Sequence, residues 1–505
     1  MSDVNRRRFI GAAAASAAFT IVPRHVLGGP KYVAPSDKIT MAHIGVGTQG
    51  IGELGYLLGD PAIQIIAVCD PNTDSSDYLE WSKGSIRKRI RGYLENPTWR
   101  ENDNGCPGGR EIGREIVNTY YAKQRAADKF KACAVYADFR ELLDQEKDLD
   151  AVKIMTPDHL HATISIAAMR KGKHVIMHKP LANRMYEARL VIETARQTKV
   201  ATHLLAWGAA PGNAMIAARI NEGAVGRLLE IHNWTNRPVW PQYTEIPTET
   251  PPVPAGLDWD LWLGPALARP YHRHYTHGVF RGWYDFGGGS MADMGIYSLW
   301  PVFAELGLSV PVSAEAWATH NCELVDQVSR SIKNNFSYPT ACAMRFKFAP
   351  RRGAPPLELF WYDGGMRPRL PKELEAANAE VSREGILFIG EKGSIMAGYF
   401  GENPVLYTRH KHEPLFAASG VPKEETDPVE RNRLWRSAFQ GGPESPGSFL
   451  NTGPISETVT LGTIALRSGQ KVVFDSANMK ITNVAAANQY MYREYRQGWE
   501  LKGSI

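Results

Sequence analysis

Apolar positions along this chain follow two alternating rhythms, short runs that suit strands and 3.6-residue periods that suit helices. The run Ile39-Thr-Met-Ala-His-Ile44 empties into Gly45-x-Gly47-x-x-Gly50, the helical stretch Ile51–Leu58 follows, and Ile63–Cys69 is a second run. A polar stretch, Asn72–Arg110, then interrupts the pattern with Asn96-Pro97, Asp103-Asn-Gly105 and Pro107-Gly-Gly109, and reads as an insertion. Beyond it, Glu111–Lys131 predicts a helix, Ala132–Tyr136 a short strand, Phe139–Leu143 a helical turn and Leu149–Met155 a clear strand. Asp158–Lys171 predicts a helix closed by Gly172, and His174–Met177 the next strand. Strands alternating with helices predict an α/β class with a parallel, doubly wound sheet. After about Asn221 the character changes: Arg227–Asn236, Val312–His320, Thr340–Phe348, Leu357–Tyr362 and Gly385–Phe388 are strand-like, with Pro-rich loops such as Pro247–Pro254. These predict a second, α+β domain built on an open, mainly antiparallel sheet. The resulting division is a leader over 1–30, a dinucleotide-type domain over 37–180 with its insertion at about 72–110, and a substrate domain over 181–505.

The glycine triplet gains meaning from its place between a strand and a helix. Gly45 permits a tight turn, Gly47 lets the backbone approach a diphosphate and Gly50 allows close helix–strand packing, with Thr48 and Gln49 in the same turn. Phosphate would then sit on the helix N-terminus. Asp70 ends the second strand twenty positions after Gly50, where an acid takes the ribose hydroxyls. A carboxylate there repels a 2′-phosphate, and Pro71-Asn72 rather than an Arg follow it, so NAD is favoured over NADP. The plainer alternative is that Asp70 only caps a turn.

Length, charge and cysteines narrow the class. At 505 residues two domains are expected, and a formal net charge of +5 is too small to suggest nucleic acid as the main partner. The cluster Arg87-Lys-Arg-Ile-Arg91 reads as a solvated face. Five widely spaced cysteines without Cys-x-x-Cys indicate neither a disulfide framework nor a zinc site. Asn5-Arg6-Arg7-Arg8-Phe9-Ile10 before the small apolar stretch Gly11–Val22 reads as a twin-arginine export signal, with an uncleaved anchor as the alternative. No other run is long enough to span a bilayer. A periplasmic enzyme without an integral span, carrying NAD loaded before export and retained, is the expectation, and a homo-oligomer the expected assembly.

Two stretches carry candidate chemistry. His178-Lys179-Pro180 ends a predicted parallel strand, where ligands bind in open α/β sheets, and Pro180 holds Lys179 extended at the tip. A partly desolvated lysine there can act as acid or base, though a solvent-facing lysine is the bland reading. Gly287-Gly-Gly-Ser-Met-Ala-Asp-Met-Gly-Ile-Tyr297 reads as a mobile glycine run entering a helix on which Asp293 and Tyr297 share a face. Ser290-x-x-Asp293 also resembles a capping box, and Tyr297 could be a hydrogen-bonded core residue. His272, His274, His277, Arg281, Trp283 and Tyr284 form a polar-aromatic stretch suited to binding a sugar, and its histidines match no regular metal pattern.

Taken together, these residues resemble the glucose-fructose oxidoreductase / inositol dehydrogenase (Gfo/Idh/MocA) family. The matching motifs are Gly45-x-Gly47-x-x-Gly50, Asp70, Thr156-Pro157-x-His159-x-His161, Gly172-Lys-His-Val175, Lys179-Pro180, Gly226-Arg227, Trp262-Leu-Gly-Pro265, Phe286-Gly-Gly-Gly-Ser-Met-Ala-Asp293-x-Gly295 and Gly390-Glu-Lys-Gly393. The resemblance implies a Rossmann domain and an open-sheet domain with a sugar held between them against the nicotinamide. It implies cofactor contacts from Thr156, Pro157, His159, His161, His178 and Lys179, a catalytic role for Lys179 and a catalytic-site role for Asp293. Two departures stand out: His178 where the family has Glu before Lys-Pro, and Tyr297 where it has His four residues after the aspartate. A phenol replaces that base if Lys179 lowers its pKa. The implied activity is NAD-dependent oxidation or reduction at a sugar or glycoside hydroxyl. A redox-neutral, NAD-dependent glycosidase and a non-catalytic sugar-binding homologue remain open.

Overall fold

The computed structural model describes residues 37–124, 132–206, 211–332, 334–350, 356–415, 427–501 and 503, so the expected export signal lies outside the described residues. The first set of apolar runs becomes β1 (Ile39–Ile44), β2 (Ile63–Cys69), β3 (Ala134–Tyr136), β4 (Ala151–Ile154), β5 (His174–Met177) and β6 (Thr202–Leu204). They form one six-stranded sheet in the order β3-β2-β1-β4-β5-β6, parallel throughout. Strand order reverses between β1 and β4, so a crevice opens at their C-terminal ends. The helices α1 (Thr48–Leu58), α2 (Ser85–Leu94), α3 (Arg110–Gln124), α4 (Phe139–Gln145), α5 (Asp158–Arg170) and α6 (Met185–Thr198) accompany this sheet. Covered faces explain why β4 is buried at every position rather than alternating.

Two expectations change here. The sheet continues past Pro180 to β6, so the first domain reaches beyond the boundary placed at 180. The insertion is also not all loop: Ile86, Ile90 and Leu94, four apart, bury one face of α2 between α1 and α3. The charged residues of α2 that the sequence assigned to solvent divide their roles. Lys88 and Arg89 are exposed, whereas Arg87 donates to the Gly105 carbonyl at 3.0 Å and Arg91 to that of Trp99 at 3.0 Å.

The second domain is built on β7 (Leu228–Trp234), β8 (Ser313–Ala318), the separate hairpin β9 (Cys322–Val325) and β10 (Val328–Ser331), β11 (Cys342–Lys347) and β12 (Glu358–Tyr362). It continues through β13 (Gly385–Gly390), β14 (Gly393–Ala397), β15 (Val405–Thr408), β16 (His412–Pro414), β17 (Val472–Asp475) and β18 (Lys480–Ile481). Its ten-stranded sheet runs β16-β15-β14-β13-β7-β12-β11-β8-β17-β18. Only β7 and β12 pair parallel; their neighbours are antiparallel. Alternation is clean in β11, where Cys342, Met344 and Phe346 are buried and the intervening residues are not. The helix Gly453–Ser468 packs on β8 and β11.

The span 181–505 is not one continuous unit. The helix Pro428–Phe439, capped by Asp427, returns to the first domain, where Asn432 Nδ2 donates to the Tyr56 carbonyl at 2.9 Å and Arg436 pairs with Asp60. Arg431 joins a buried ion cluster there. Glu53 Oε2 meets Lys153 Nζ at 2.7 Å and its Oε1 meets Arg431 at 3.1 Å. Burial works to raise the Glu53 carboxyl, but Lys153 and then Arg431 hold it below its usual value. Removing one partner leaves a buried charge uncompensated, a change that costs about 3–5 kcal/mol. Lys153→Ala should therefore lower the free energy of unfolding by about 3–5 kcal/mol, and Lys153→Met combined with Glu53→Gln should recover most of it; equal unfolding free energies for the single and double variants would rule out the coupling.

Candidate active site

The glycine turn joins β1 to α1 at the crevice. Gly45 has φ +97°, its N–H donates to the Cys69 carbonyl at 2.8 Å, and a Cβ there would lie 2.6 Å from the Met155 carbonyl oxygen. A Cβ on Gly50 would lie 2.1 Å from the Gly45 oxygen, so the turn closes only without side chains at both positions. Gly47 caps α1 without a side-chain bond, which leaves first-turn N–H groups available for an anion. Asp70 is buried at the end of β2, accepting from the Val46 N–H at 2.7 Å and the Asn72 N–H at 2.8 Å. Burial pushes its carboxyl up to about 6, against those two bonds. It does brace a turn, as the plainer reading had it, and it also lines the cleft with Gly45, Gly47, Thr48, Gln49, Gly50, Thr156 and Pro157.

The insertion supplies another wall. Thr48 Oγ1 donates to the Leu79 carbonyl at 2.5 Å, and Tyr78, Leu79 and Trp81 line the cleft. A Cβ on Gly47 would come within 2.9 Å of the Tyr78 ring and one on Gly108 within 2.6 Å, so both glycines make room for that aromatic ring. Within the cleft lining the Tyr78 ring lies 4.0 Å from that of His277, whose Nε2 is 3.4 Å from Asp77 Oδ1. The Thr73 N–H donates to the Gly256 carbonyl at 2.8 Å and the Asp258 N–H to that of Pro71 at 3.0 Å, tying the insertion to the second domain.

The chemical end of the cleft lies at the tip of β5. Lys179, 3% exposed, places Nζ 2.5 Å from Asp293 Oδ1, and Arg281 Nε reaches the same oxygen at 3.0 Å. Burial alone would raise the Asp293 carboxyl; Lys179 and then Arg281 hold it far below its usual range. Burial draws Lys179 below its ordinary value, Asp293 opposing. Asp293 lies in a single π turn, Met291–Gly295, a form that recurs at functional sites. Ser290 makes no side-chain cap, so the capping box is not formed. The glycine run before it is packed rather than mobile, for a Cβ on Gly287 would meet the Arg281 Cα at 2.4 Å and one on Gly288 the Ala292 Cβ at 2.4 Å.

Tyr297 follows in the helix Ile296–Leu306, and its Oη is 2.8 Å from His178 Nε2. The expected lowering of this phenol by Lys179 is not found. Burial and the Asp293 charge push it well above its usual value, while Lys179 Nζ sits 4.7 Å from the ring centroid and spends its charge on Asp293. His178 moves the other way, held well below 6.5 by burial and then by Lys179, so its imidazole is neutral.

Several residues expected at the site stand behind it. His159 Nε2 donates to the Trp262 carbonyl at 2.9 Å, and His161 lies between the carbonyls of Pro180 (2.6 Å) and Thr156 (2.9 Å). Neither lines the cleft; they fasten α5 and the Lys179-Pro180 turn. Of the polar-aromatic stretch only His277 and Arg281 reach the cleft. His272 is buried near Glu249, His274 stacks on Tyr243 at 4.4 Å, Trp283 donates to the His274 carbonyl at 2.7 Å, and Tyr284 packs on Tyr338 at 4.4 Å. Apolar burial of the rings decides this, since Trp283 and its neighbours form a separate aromatic core. The sequence reading missed Asp158, which accepts from the Gly288 N–H at 2.9 Å, and also Tyr78, Trp81, Arg237 and Phe280, all in the cleft wall. Among the described residues no three His, Cys, Asp or Glu side chains are arranged to hold a metal, and no helix is long and apolar enough to cross a membrane.

Comparison with known proteins agrees with this architecture. Residues 106–205 match the oxidoreductase-family NAD-binding Rossmann fold (GFO_IDH_MocA), and residues 226–347 match the family's C-terminal alpha/beta domain (GFO_IDH_MocA_C2). Levoglucosan dehydrogenase of Pseudarthrobacter phenanthrenivorans is 35% identical over 109 residues, 20% of this chain and 27% of that protein. A glycosyl hydrolase family 109 protein of Shewanella pealeana is 25% identical over 211 residues, 39% of this chain and 38% of that protein. The matches thus span well under half the length of these relatives. Among solved structures, the WlbA dehydrogenase of Chromobacterium violaceum, in complex with NADH and UDP-GlcNAcA, shares the fold with a TM-score of 0.52 at 16% identity, over 87% of this chain and 97% of that one. Residues 106–205 and 226–347 thus match, in this order, the NAD-binding Rossmann domain and the C-terminal alpha/beta domain of the Gfo/Idh/MocA oxidoreductase family, to which the chain is similar.

Proposed function

We propose that this protein oxidises or reduces a sugar or glycoside at a hydroxyl-bearing carbon, using NAD that it retains. One observation carries the reading: the glycine turn with Asp70 opens into the same cleft as Lys179, Asp293, His178 and Tyr297. The turn fits a dinucleotide, because backbone fills the space that side chains at Gly45 and Gly50 would need. The first turn of α1 would hold its diphosphate and Asp70 its ribose. A nicotinamide held there would supply hydride exchange at the sugar carbon. NAD is preferred to NADP because Asp70 faces the ribose position, while Arg110, whose charge it feels, donates to the Asp70 carbonyl and stands outside the cleft lining.

The chain's own groups move the proton. Asp293, with Lys179 and Arg281 fixed on it, orients the sugar hydroxyls. Tyr297 Oη takes the hydroxyl proton as it passes its own to His178 Nε2. The phenol stays neutral throughout, so its raised pKa is no obstacle. His178 thereby becomes an imidazolium that holds the proton at Nε2. In the reverse direction the same pair is the acid.

Retention is supported by the insertion, whose Tyr78 ring meets that of His277 from the second domain in the cleft lining. Such a clasp suits a protein that carries its cofactor into the periplasm by the twin-arginine route, which the N-terminal Arg6-Arg7 pair supports.

Tyr297→Phe should cut kcat by about 10²–10⁴-fold, the scale of a lost acid–base group, with NAD content unchanged; unaltered turnover would remove Tyr297 from the mechanism. Because His178 is neutral far below pH 6.5, the kcat/KM profile for oxidation should show no acid limb near the ordinary imidazole value, and an inflection there would implicate another base. Denaturing the purified protein should release about one NAD per chain, and Tyr78→Ala should yield protein largely lacking it that works with added NAD. Activity of the unmodified protein that depends wholly on added NAD would end the retention argument, and aglycone release without NADH would favour a redox-neutral glycosidase.

A further inference from the structure

The charges at the substrate end of the cleft do not balance. Lys179 and Arg281 both pair with the Asp293 carboxylate, and buried Asp158, whose carboxyl burial raises, is the second acid facing those two cations. Arg237, just beyond β7, also lines the cleft and among the described residues forms no ion pair; its Nε is buried without an acceptor. Glu384 accepts from the Thr235 hydroxyl instead. A half-buried guanidinium without an acid is an unfavourable arrangement that an anionic ligand would relieve. Trp240, three residues on from Arg237, has its ring 5.9 Å from the Arg281 guanidinium carbon, which places this stretch beside the Lys179–Asp293–Arg281 cluster. Beside it stands Trp81, 50% exposed, lining the same cleft with its ring 5.9 Å from the guanidinium carbon. An aromatic face next to a planar cationic fork suits a ring with apolar C–H faces and a carboxylate.

We propose that the substrate is a sugar acid, its carboxylate held by Arg237 and its ring against Trp81. This rests on the oxidoreductase reading above and specifies its substrate class. The alternative source of negative charge at Arg237 is the dinucleotide diphosphate, which the experiment separates.

The test uses the full chain with its NAD content first measured by denaturation, or restored by added NAD. Binding is then titrated calorimetrically with matched pairs, methyl β-D-glucuronide against methyl β-D-glucoside and the two galacto counterparts, and NADH formation is followed in parallel. At least one acid should bind about tenfold more tightly than its neutral partner, with the difference shrinking as salt is raised. Arg237→Gln should abolish that preference while NAD content stays the same, and Trp81→Ala should weaken acid and neutral partner alike. Equal or stronger binding of every neutral partner, or no binding of either acid, would overturn the proposal. So would an Arg237→Gln protein that loses NAD but keeps the preference, since Arg237 would then serve the diphosphate. Failure to bind NAD at all, in the unmodified protein, would instead refute the oxidoreductase reading on which the proposal stands.

Discussion

One carboxylate shared by two cations organises the cleft. Asp293 belongs to the second domain, Lys179 to the strand tip of the first, and Arg281 to the loop between them and the glycine run. Lys179 and Asp293 are buried and Arg281 is largely so, so that losing any one would leave charge without full compensation. The cluster therefore fixes how the two domains meet at the reactive end, and it decides the state of the neighbouring groups. By engaging the Lys179 ammonium it leaves the Tyr297 phenol neutral, and by keeping Lys179 charged beside His178 it keeps that imidazole neutral as well. Supporting bonds point the same way: Asp158 holds the Gly288 N–H and His161 links the Pro180 and Thr156 carbonyls, so α5, the strand tip and the glycine run are one braced unit.

The insertion places a second layer over this frame. Its helix α2 buries Ile86, Ile90 and Leu94, while its irregular arm carries Tyr78 against the glycine turn and reaches the second domain through Thr73 and Pro71. A cleft that would otherwise open between two domains is thereby bridged on its cofactor side. The same arm carries Trp81 into the cleft lining beside Arg237, so one segment borders both the glycine turn and the cationic end of the cleft.

Much of the first domain was legible because it is dictated locally. Strand runs buried on both faces, glycines at a turn that backbone fills and an acid at the end of β2 are all consequences of nearest neighbours in sequence. The second sheet was partly legible: strand-like runs marked β7, β8, β11, β12 and β13, whereas short strands such as β16 and β18 take their identity from a partner strand and carry no pattern of their own. The polar-aromatic stretch misled for a related reason. A histidine or tryptophan reads the same whether it faces a sugar or an aromatic core, and only tertiary packing put Trp283 and Tyr284 in the latter and His277 and Arg281 in the cleft. Arg237 and Trp81 had no local signature, since what marks them is the absence of an acid and the presence of a distant wall.

The two departures from the family pattern, at positions 178 and 297, looked in sequence like two independent losses of acid–base capacity. In the fold they are the two ends of one hydrogen bond, 2.8 Å long. An imidazole and a phenol there can still pass a proton in either direction, because the phenol both donates and accepts and the neutral imidazole offers a lone pair. The pair carries no formal charge at rest, unlike a carboxylate in the first position, so it adds no acid to the cations gathered around Asp293 and Asp158. A carboxylate at 178 would compete with Asp293 for Lys179; an imidazole does not. The exchange at one position is thus compatible with the fold because of the exchange at the other, and the cleft keeps a proton route while gaining positive charge.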